Sequence, residues 1–526
     1  MRATRKIRVA VALGGIAAAV ALTSATGEPA AAGGQGRPNI VLITTDDQTA
    51  ASLRVMGRTR QLLADQGADF KRFYATFPLC CPSRATYLTG QYAHNHGVID
   101  NLARFGGGYP AMREPDKVLP VFLKQAGYET ALIGKFLHDY RSLERPPGWD
   151  VFLSLLDGSF TRYYGYEMTD SLGGSMTFGD SEADYVTDAL TNRFAVPYIR
   201  SRAGNPAPFF LHLSYTAPHW GTGRNDEAGR RCVSPEPFAF DTARAKPAPR
   251  HAQAFANARL PQPPSFNEKE IGDKPALISR EPRFSAADRR ALARRYRCEL
   301  ASLLAVDEGI AAVNQALTDA GLAGNTVVMF TSDNGYMHGQ HRLLGGKVQP
   351  YEEAVRVPFL MRGPGVPAGE VVKAPAGNVD IVPTILDFAG VGPGRTVDGV
   401  SLRAGTARDR AVLLEAKRPA KQTARGDVAA RSWSGVRTRR YTYIEHFRAA
   451  APAPEQGFAL PIGAGKRTAR ELYDNRLDPY QLSNEARSAR YAAARRQLAR
   501  LARRLRGCAG EACFRQAEVP PPTKRR

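Results

Sequence analysis

Apolar positions along the chain follow two periods, and the periods take turns. Continuous apolar runs at residues 39–44, 130–133, 209–215 and 326–330 predict strands buried on both faces. Helical spacing predicts a helix over 58–66, stopped by Gly67, another over 118–126, stopped by Gly127, and an amphipathic one over 307–320. Strands alternating with helices imply an α/β fold, a large, mixed, mostly parallel sheet flanked by helices. Residues 221–290 break the pattern, being rich in Pro and charge with little periodicity, and are expected at the rim of a cleft. Beyond a Gly/Pro boundary at 390–395, residues 436–447 alternate as one strand of a smaller antiparallel sheet. Residues 487–506 carry eight Arg and no acid, with Tyr491, Ala494, Leu498, Leu501 and Leu505 on one helical face. That pattern favours a packed, solvated terminal helix over a dedicated polyanion site. The expected division is a leader and start of linker at 1–32, an α/β domain over 37–395, a C-terminal α+β subdomain over 396–515, and a basic tail at 516–526.

The first residues alter this picture only at the start. Arg2, Arg5, Lys6 and Arg8 precede an apolar run to Leu22 and then small residues, which reads as a secretory signal peptide cleaved after Ala25 or Ala32. The run is short for a membrane span and no other stretch qualifies, so an exported protein without stable membrane association is expected. Six cysteines suit an oxidising compartment without making a disulfide scaffold. Cys508 and Cys513 are close enough to bridge, and Cys232 with Cys298 is a second candidate pair. The 526 residues hold 72 basic against 50 acidic groups, a formal charge of +22. No nucleic-acid motif accompanies the charge, so no nucleic-acid partner is expected, whereas a polyanionic substrate is compatible with it.

Chemistry concentrates where the apolar runs end. The four strands lead into Asp46-Asp47, Gly134-Lys135, Ala217-Pro218-His219 and Asp333-Asn334-Gly335. Ligands of open α/β sheets sit beyond the carboxyl ends of strands. If these four are parallel neighbours, their loaded residues meet at one edge. Any one pair alone reads as a turn; together they make an oxygen-rich site for a hard cation, Ca²⁺ by preference and Mg²⁺ as the alternative. Residues 80–90, Cys-Cys-Pro-Ser-Arg-Ala-Thr-Tyr-Leu-Thr-Gly, suggest a short helix with Pro82 at its first position and Gly90 at its end. Its start would aim backbone N–H groups and the positive dipole end at Cys80, with Arg84 adding a fixed charge. A bare Cys-Cys in an exported protein is more often a disulfide or a buried thiol; the surrounding residues reverse that reading.

The string resembles the signature of the type I, formylglycine-dependent sulfatases, Cys-x-Pro-Ser-Arg-x-x-x-Leu-Thr-Gly, at every fixed position. The opening Arg-Pro-Asn-Ile-Val-Leu-Ile-Thr-Thr-Asp-Asp-Gln, Gly134-Lys135, Ala-Pro-His, Thr-Ser-Asp-Asn-Gly-Tyr, Gly346-Lys347 and Glu-Leu-Tyr-Asp (471–474) occur in that family's order. Leu-Cys-Cys-Pro-Ser-Arg with His94-Asn95-His96 most resembles the N-acetylglucosamine-6-sulfatase branch, with both histidines taken as structural. The resemblance implies an alkaline-phosphatase-like fold and conversion of Cys80 to formylglycine by a formylglycine-generating enzyme. It implies a metal held by Asp46, Asp47, Asp333, Asn334 and the modified Cys80. Arg84 would steady the formylglycine, and Lys135, Lys347 and His219 would contact the sulfate. The implied activity is sulfate-ester hydrolysis on a sulfated sugar such as 6-O-sulfated N-acetylglucosamine. Phosphonate monoester or phosphodiester hydrolysis and non-catalytic glycan binding are the rivals. One position departs from the pattern: the histidine after Lys135 stands three residues on, as His138, where it is either a base near residue 80 or a core or surface histidine.

Overall fold

A computed structural model describes residues 36–221, 244–403, 409–418, 421–423, 426–428, 431–448 and 461–523. The signal peptide and Cys232 fall outside them. Residues Gly36–Arg526 form one compact unit.

The four apolar runs become β1 (Asn39–Thr45), β2 (Glu129–Gly134), β3 (Phe209–Ser214) and β4 (Thr326–Ser332). They are neighbours in the order β4-β1-β3-β2, all parallel, inside an eight-stranded sheet. Val151–Ser154 extends the sheet in parallel beyond β2. On the other side β5 (Phe359–Arg362) runs antiparallel to β4 and makes the sheet mixed. Alternate residues of β1 enter separate cores: Ile40 and Leu42 one, Val41 and Ile43 the other. Burial on both faces explains why the strand reads as an unbroken apolar run.

On one face lies α1 (Cys80–Thr89), ended by Gly90 at φ +70° as its left-handed cap requires. The helix begins at Cys80, so Pro82 is its third residue and not its first. Its missing N–H costs nothing, because the first four N–H groups of a helix have no partner inside it. On the opposite face lies α2 (Ala286–Asp319), far longer than the 307–320 expected. A capping box between Ser285 and Asp288 starts it. Leu303, Val306, Ile310, Val313 and Leu317 pack on the sheet, so this helix, apolar enough by composition to span a membrane, is a core element.

The C-terminal sheet is antiparallel as expected, but 436–447 is not one strand. It spans the end of β7 (Arg431–Arg437) and most of β8 (Tyr441–Arg448), which pair in a four-stranded sheet with β6 (Val412–Arg418) and β9 (Lys466–Asp474). The terminal helix α3 (Ala492–Leu505) buries Ala494, Leu498, Leu501 and Leu505 against that sheet. Arg506 just beyond it pairs with Glu445. The Cys508–Cys513 disulfide is present, with Cα atoms 5.1 Å apart. Cys298 is also disulfide-bonded. Cys80 and Cys81 are buried free thiols.

Candidate active site

The parallel order brings Asp46 and Asp47, Lys135, His219 and Asp333-Asn334 to one sheet edge, and α1 opens onto it. Cys80 Sγ lies at the centre, 3.4 Å from Asp46 Oδ1, 2.9 Å from Lys347 Nζ and 3.7 Å from Lys135 Nζ. Lys135 also pairs with Asp46. Lys347 pairs with Asp47 at 2.5 Å. The Arg84 side chain, 2% exposed, donates to Asp333 at 2.9 Å, to Ser214 at 2.7 Å and to the Lys135 carbonyl at 3.0 Å, and lies 3.4 Å from Asp46. Its fork therefore ties two buried carboxylates to the ends of β2 and β3 and does not bond Cys80 directly. Ser83, the residue before it, donates to the Asp333 carbonyl and accepts from Asn378.

Three carboxylates and three permanent cations are thus buried together, which offsets the cost of burying either set alone. Burial pushes the Asp46 carboxyl up, but Lys135, His219, Lys347 and Arg84 outweigh it and hold it well below the usual range. Asp47 and Asp333 are raised, by burial first and by the Asp46 charge. Lys347 is opposed by burial yet held well above its usual value by Asp47 first and by Asp46 and Asp333. Burial and the Asp46 charge push the Cys80 thiol up to about 12, so the unmodified sulfur is a neutral thiol and a poor nucleophile.

Among the described residues, Asp47 Oδ2 and Asn334 Oδ1 at this edge are buried without a hydrogen-bond partner. A buried acceptor left unpaired is costly. Ligand atoms of Asp46, Asp47, Cys80 and His219 lie within 4.8 Å of one another. The orphaned oxygens and the mainly oxygen donor set fit a hard divalent cation. Asp333 turns Oδ1 to the Asp47 and Asn334 N–H groups and Oδ2 to Arg84. Asp47 sits at φ +66°, a left-handed conformation that costs a non-glycine residue of order 1 kcal/mol and is typical of functional turns.

His219 follows β3 and donates from Nδ1 to the Trp220 carbonyl at 2.7 Å, leaving Nε2 facing Asp47 at 3.5 Å. Burial pushes its pKa down to about 3 against the pull of Asp46. His138 is placed differently. Its backbone N–H donates to Cys81 Sγ at 3.1 Å, its ring packs edge-on against Phe160, and its Nδ1 lies 3.7 Å from Asp157. The hydrogen bonds of Cys80 Sγ run to Asp46, Lys135 and Lys347, and none among the described residues reaches His138. His94 and His96 make structural contacts: His94 bridges Glu415 and the Cys508 carbonyl, and His96 sits between Thr86 and the Val98 N–H. For Ser214 the sequence offers only a hydroxyl closing an apolar strand; its place beside Gly134 comes from the pairing of β2 with β3. For Asp157 it offers no signal.

The mixed sheet, with an acid- and lysine-lined edge at its carboxyl end, has the alkaline-phosphatase-like fold of the solved sulfatases it superposes on. A solved structure holding its substrate D-glucosamine-2-N,6-O-disulfate superposes with a TM-score of 0.66 at 24% identity, covering 89% of this chain and 97% of that one. Phosphonate monoester hydrolases share the fold. The chain belongs to the sulfatase family, whose family model matches residues 38–391. It is 31% identical over 384 residues to the N-acetylglucosamine-6-sulfatase of Homo sapiens, covering 70% of this chain and 64% of that one. It is 35% identical over 371 residues to an extracellular sulfatase SULF-1 homolog of Drosophila melanogaster, covering 70% of this chain and 31% of that one. This chain therefore spans less than two thirds of either relative. The family implies a metal ion and formylglycine, and the buried acid, thiol and histidine cluster is consistent with both.

Proposed function

We propose that the protein is an exported sulfuric ester hydrolase that releases sulfate from a sulfated sugar, with 6-O-sulfated N-acetylglucosamine as the leading substrate. The observation that carries the reading is the placement of Cys80: a buried thiol at the start of α1, with two lysine ammonium groups and Asp46 on its sulfur. Asp46, Asp47, Asp333 and Asn334 would hold Ca²⁺, whose tolerance of irregular oxygen geometry suits them better than Mg²⁺. Formylglycine at position 80 would supply a hydrated-aldehyde oxygen as nucleophile, and the cation would supply Lewis-acid neutralisation of the sulfate charge.

The chain's own residues do the rest. Lys135 and Lys347 set two fixed positive charges beside residue 80, where the sulfate oxygens and the leaving oxygen gain negative charge. Because both lysines are pinned by carboxylates, they need no reorganisation when that charge develops. The Trp220 carbonyl fixes the His219 ring with Nε2 facing the site as an acceptor, so the proton for the leaving oxygen comes from the Lys347 ammonium. Arg84 holds Asp46 and Asp333 in place from behind. His138, on Cys81 and Asp157, is read as part of the wall behind residue 80. A formylglycine-generating enzyme would mature Cys80, with the catalytic domain at 37–395 and the rest forming the C-terminal subdomain and tail.

Phosphonate monoester hydrolysis is the second reading, favoured by the shared fold. One experiment tests both. Peptide mass spectrometry on protein from a host with the maturing enzyme should show aldehyde in place of thiol at Cys80. That protein should hydrolyse glucosamine-6-sulfates faster than matched phosphate and phosphonate esters. An unmodified thiol in fully active protein, or a preference for the phosphorus esters, would overturn the proposal.

A further inference from the structure

A cavity of about 370 Å³ lies between the C-terminal sheet and the two loops at 275–281 and 343–351. Its size falls within the ~300–1,000 Å³ of ordinary ligand clefts. It adjoins the loop that reaches the site: Gly345 and Val348 line it, and Lys347 between them reaches Cys80 Sγ at 2.9 Å. Trp433, 6% exposed and also in the lining, donates from its indole N–H to the Val348 carbonyl at 3.1 Å, so the wall and the Lys347 loop are fixed to each other.

The charge of the lining is one-sided. Lys417, Arg431 and Arg448 line the cavity, and Glu281 is the one acidic residue doing so. Arg431 and Arg448 stand directly opposite each other on β7 and β8, and Lys466 stands opposite Arg448 on β9. Like charges in cross-strand positions repel. Among the described residues no carboxylate pairs with Arg431 or Arg448, whereas the nearby Arg467, Arg470 and Arg506 all share Glu445. Arg431 is half-buried and Arg448 exposed, so among the described residues nothing closes either off from a ligand.

We infer that this cavity is a subsite for a second, anionic saccharide unit adjoining the sulfated sugar, with Arg431 and Arg448 binding its carboxylate or sulfate. The inference rests on the sulfatase reading and deepens it: the substrate is an acidic oligosaccharide rather than an isolated sugar. Planar guanidinium forks suit both anions, and the flanking apolar wall suits a sugar face.

The test compares wild type with Arg431→Gln/Arg448→Gln on three substrates. These are a glucosamine-6-sulfate monosaccharide, a disaccharide linking it to a uronate or a sulfated sugar, and one linking it to a neutral sugar. The double variant should lose tenfold or more in kcat/KM on the anionic disaccharides, mainly through KM, and stay within twofold on the other two. A loss confined to the uronate or to the sulfated partner identifies the anion. Equal losses on all three substrates, or none on any, would overturn the subsite. If wild type releases no sulfate from any of them, the sulfatase reading fails instead. Binding of the anionic disaccharide to Cys80→Ala protein still reports on the cavity: tenfold weaker binding on adding the two Arg changes supports it, and unchanged binding overturns it.

Discussion

His94 sets a pH limit on the stability of the fold. Its ring stands between two acceptors, with Nδ1 at 3.0 Å from Glu415 Oε2 and Nε2 at 2.9 Å from the Cys508 carbonyl. Only the imidazolium can donate to both. Burial opposes its charge, but the Glu415 carboxylate and the Cys508 carbonyl outweigh burial and raise the pKa from 6.5 to about 9. The His94 side chain is 12% exposed and Glu415 fully buried, so solvent screens the pair little. A rise of roughly 2.5 pH units corresponds to ~3 kcal/mol. Because the folded-state value is the higher one, this stabilisation is complete below about pH 6.5 and disappears as pH rises through about 9. Urea unfolding of wild type and His94→Gln at pH 6, 7.5 and 9.5 measures it. The difference between the two proteins should be largest at pH 6 and shrink by ~3 kcal/mol toward alkaline pH. A difference that is flat with pH, or that grows as pH rises, would refute the argument. Repeating the scan with Glu415→Gln, which removes the partner charge, should abolish the pH dependence.

Other outcomes follow from the site. Cys80→Ser and Cys80→Ala should each abolish multiple turnover while leaving the circular dichroism spectrum unchanged; sustained turnover from either would sink the proposed mechanism. Arg84→Lys keeps a charge but loses the fork joining Asp333, Ser214 and the Lys135 carbonyl. It should lower kcat/KM by about 100-fold or more and stability by ~2 kcal/mol, and activity within threefold of wild type would contradict the positioning role. After chelation, added Ca²⁺ should raise the thermal midpoint more than Mg²⁺ does, with ~2.7 kcal/mol gained at a hundred times Kd. An equal response in Asp47→Asn protein would place the ion elsewhere.

The sequence exposed those parts of the fold where burial is uniform. Strands β1 to β4 are covered on both faces, so each reads as an apolar run, and their loaded ends predicted a shared edge that the parallel pairing supplies. The β7–β8 hairpin did not show itself. Its turn, Thr438-Arg439-Arg440, contains no Gly or Pro, and apolar residues stand close on either side of it. The front half of α2 was hidden for the opposite reason: Arg289, Arg290, Arg294, Arg295 and Arg297 dilute its apolar stripe, although the Ser285/Asp288 box was there to be read. Lys347 could be placed at the site only through family resemblance, because it lies on a loop whose position depends on distant contacts. The contacts of His138 with Cys81 and Asp157 are likewise tertiary, and no spacing reveals them.

The tie between Trp433 and Val348 reaches further than the cavity it borders. Val348 donates its own N–H to the Pro78 carbonyl, two residues before Cys80, and its φ of +68° is strained for a β-branched side chain. Strain of that kind persists only where neighbours impose it. The C-terminal sheet thus works as a splint for the loop that carries Lys347 to the edge of the other sheet. Under the proposed function, substrate reach and chemical rate are consequently not independent traits. A substitution that reshapes the sheet wall at Trp433 also shifts the support under Lys347, so the cavity and the Lys347 contact with Cys80 cannot be altered independently unless Trp433 and Val348 are spared.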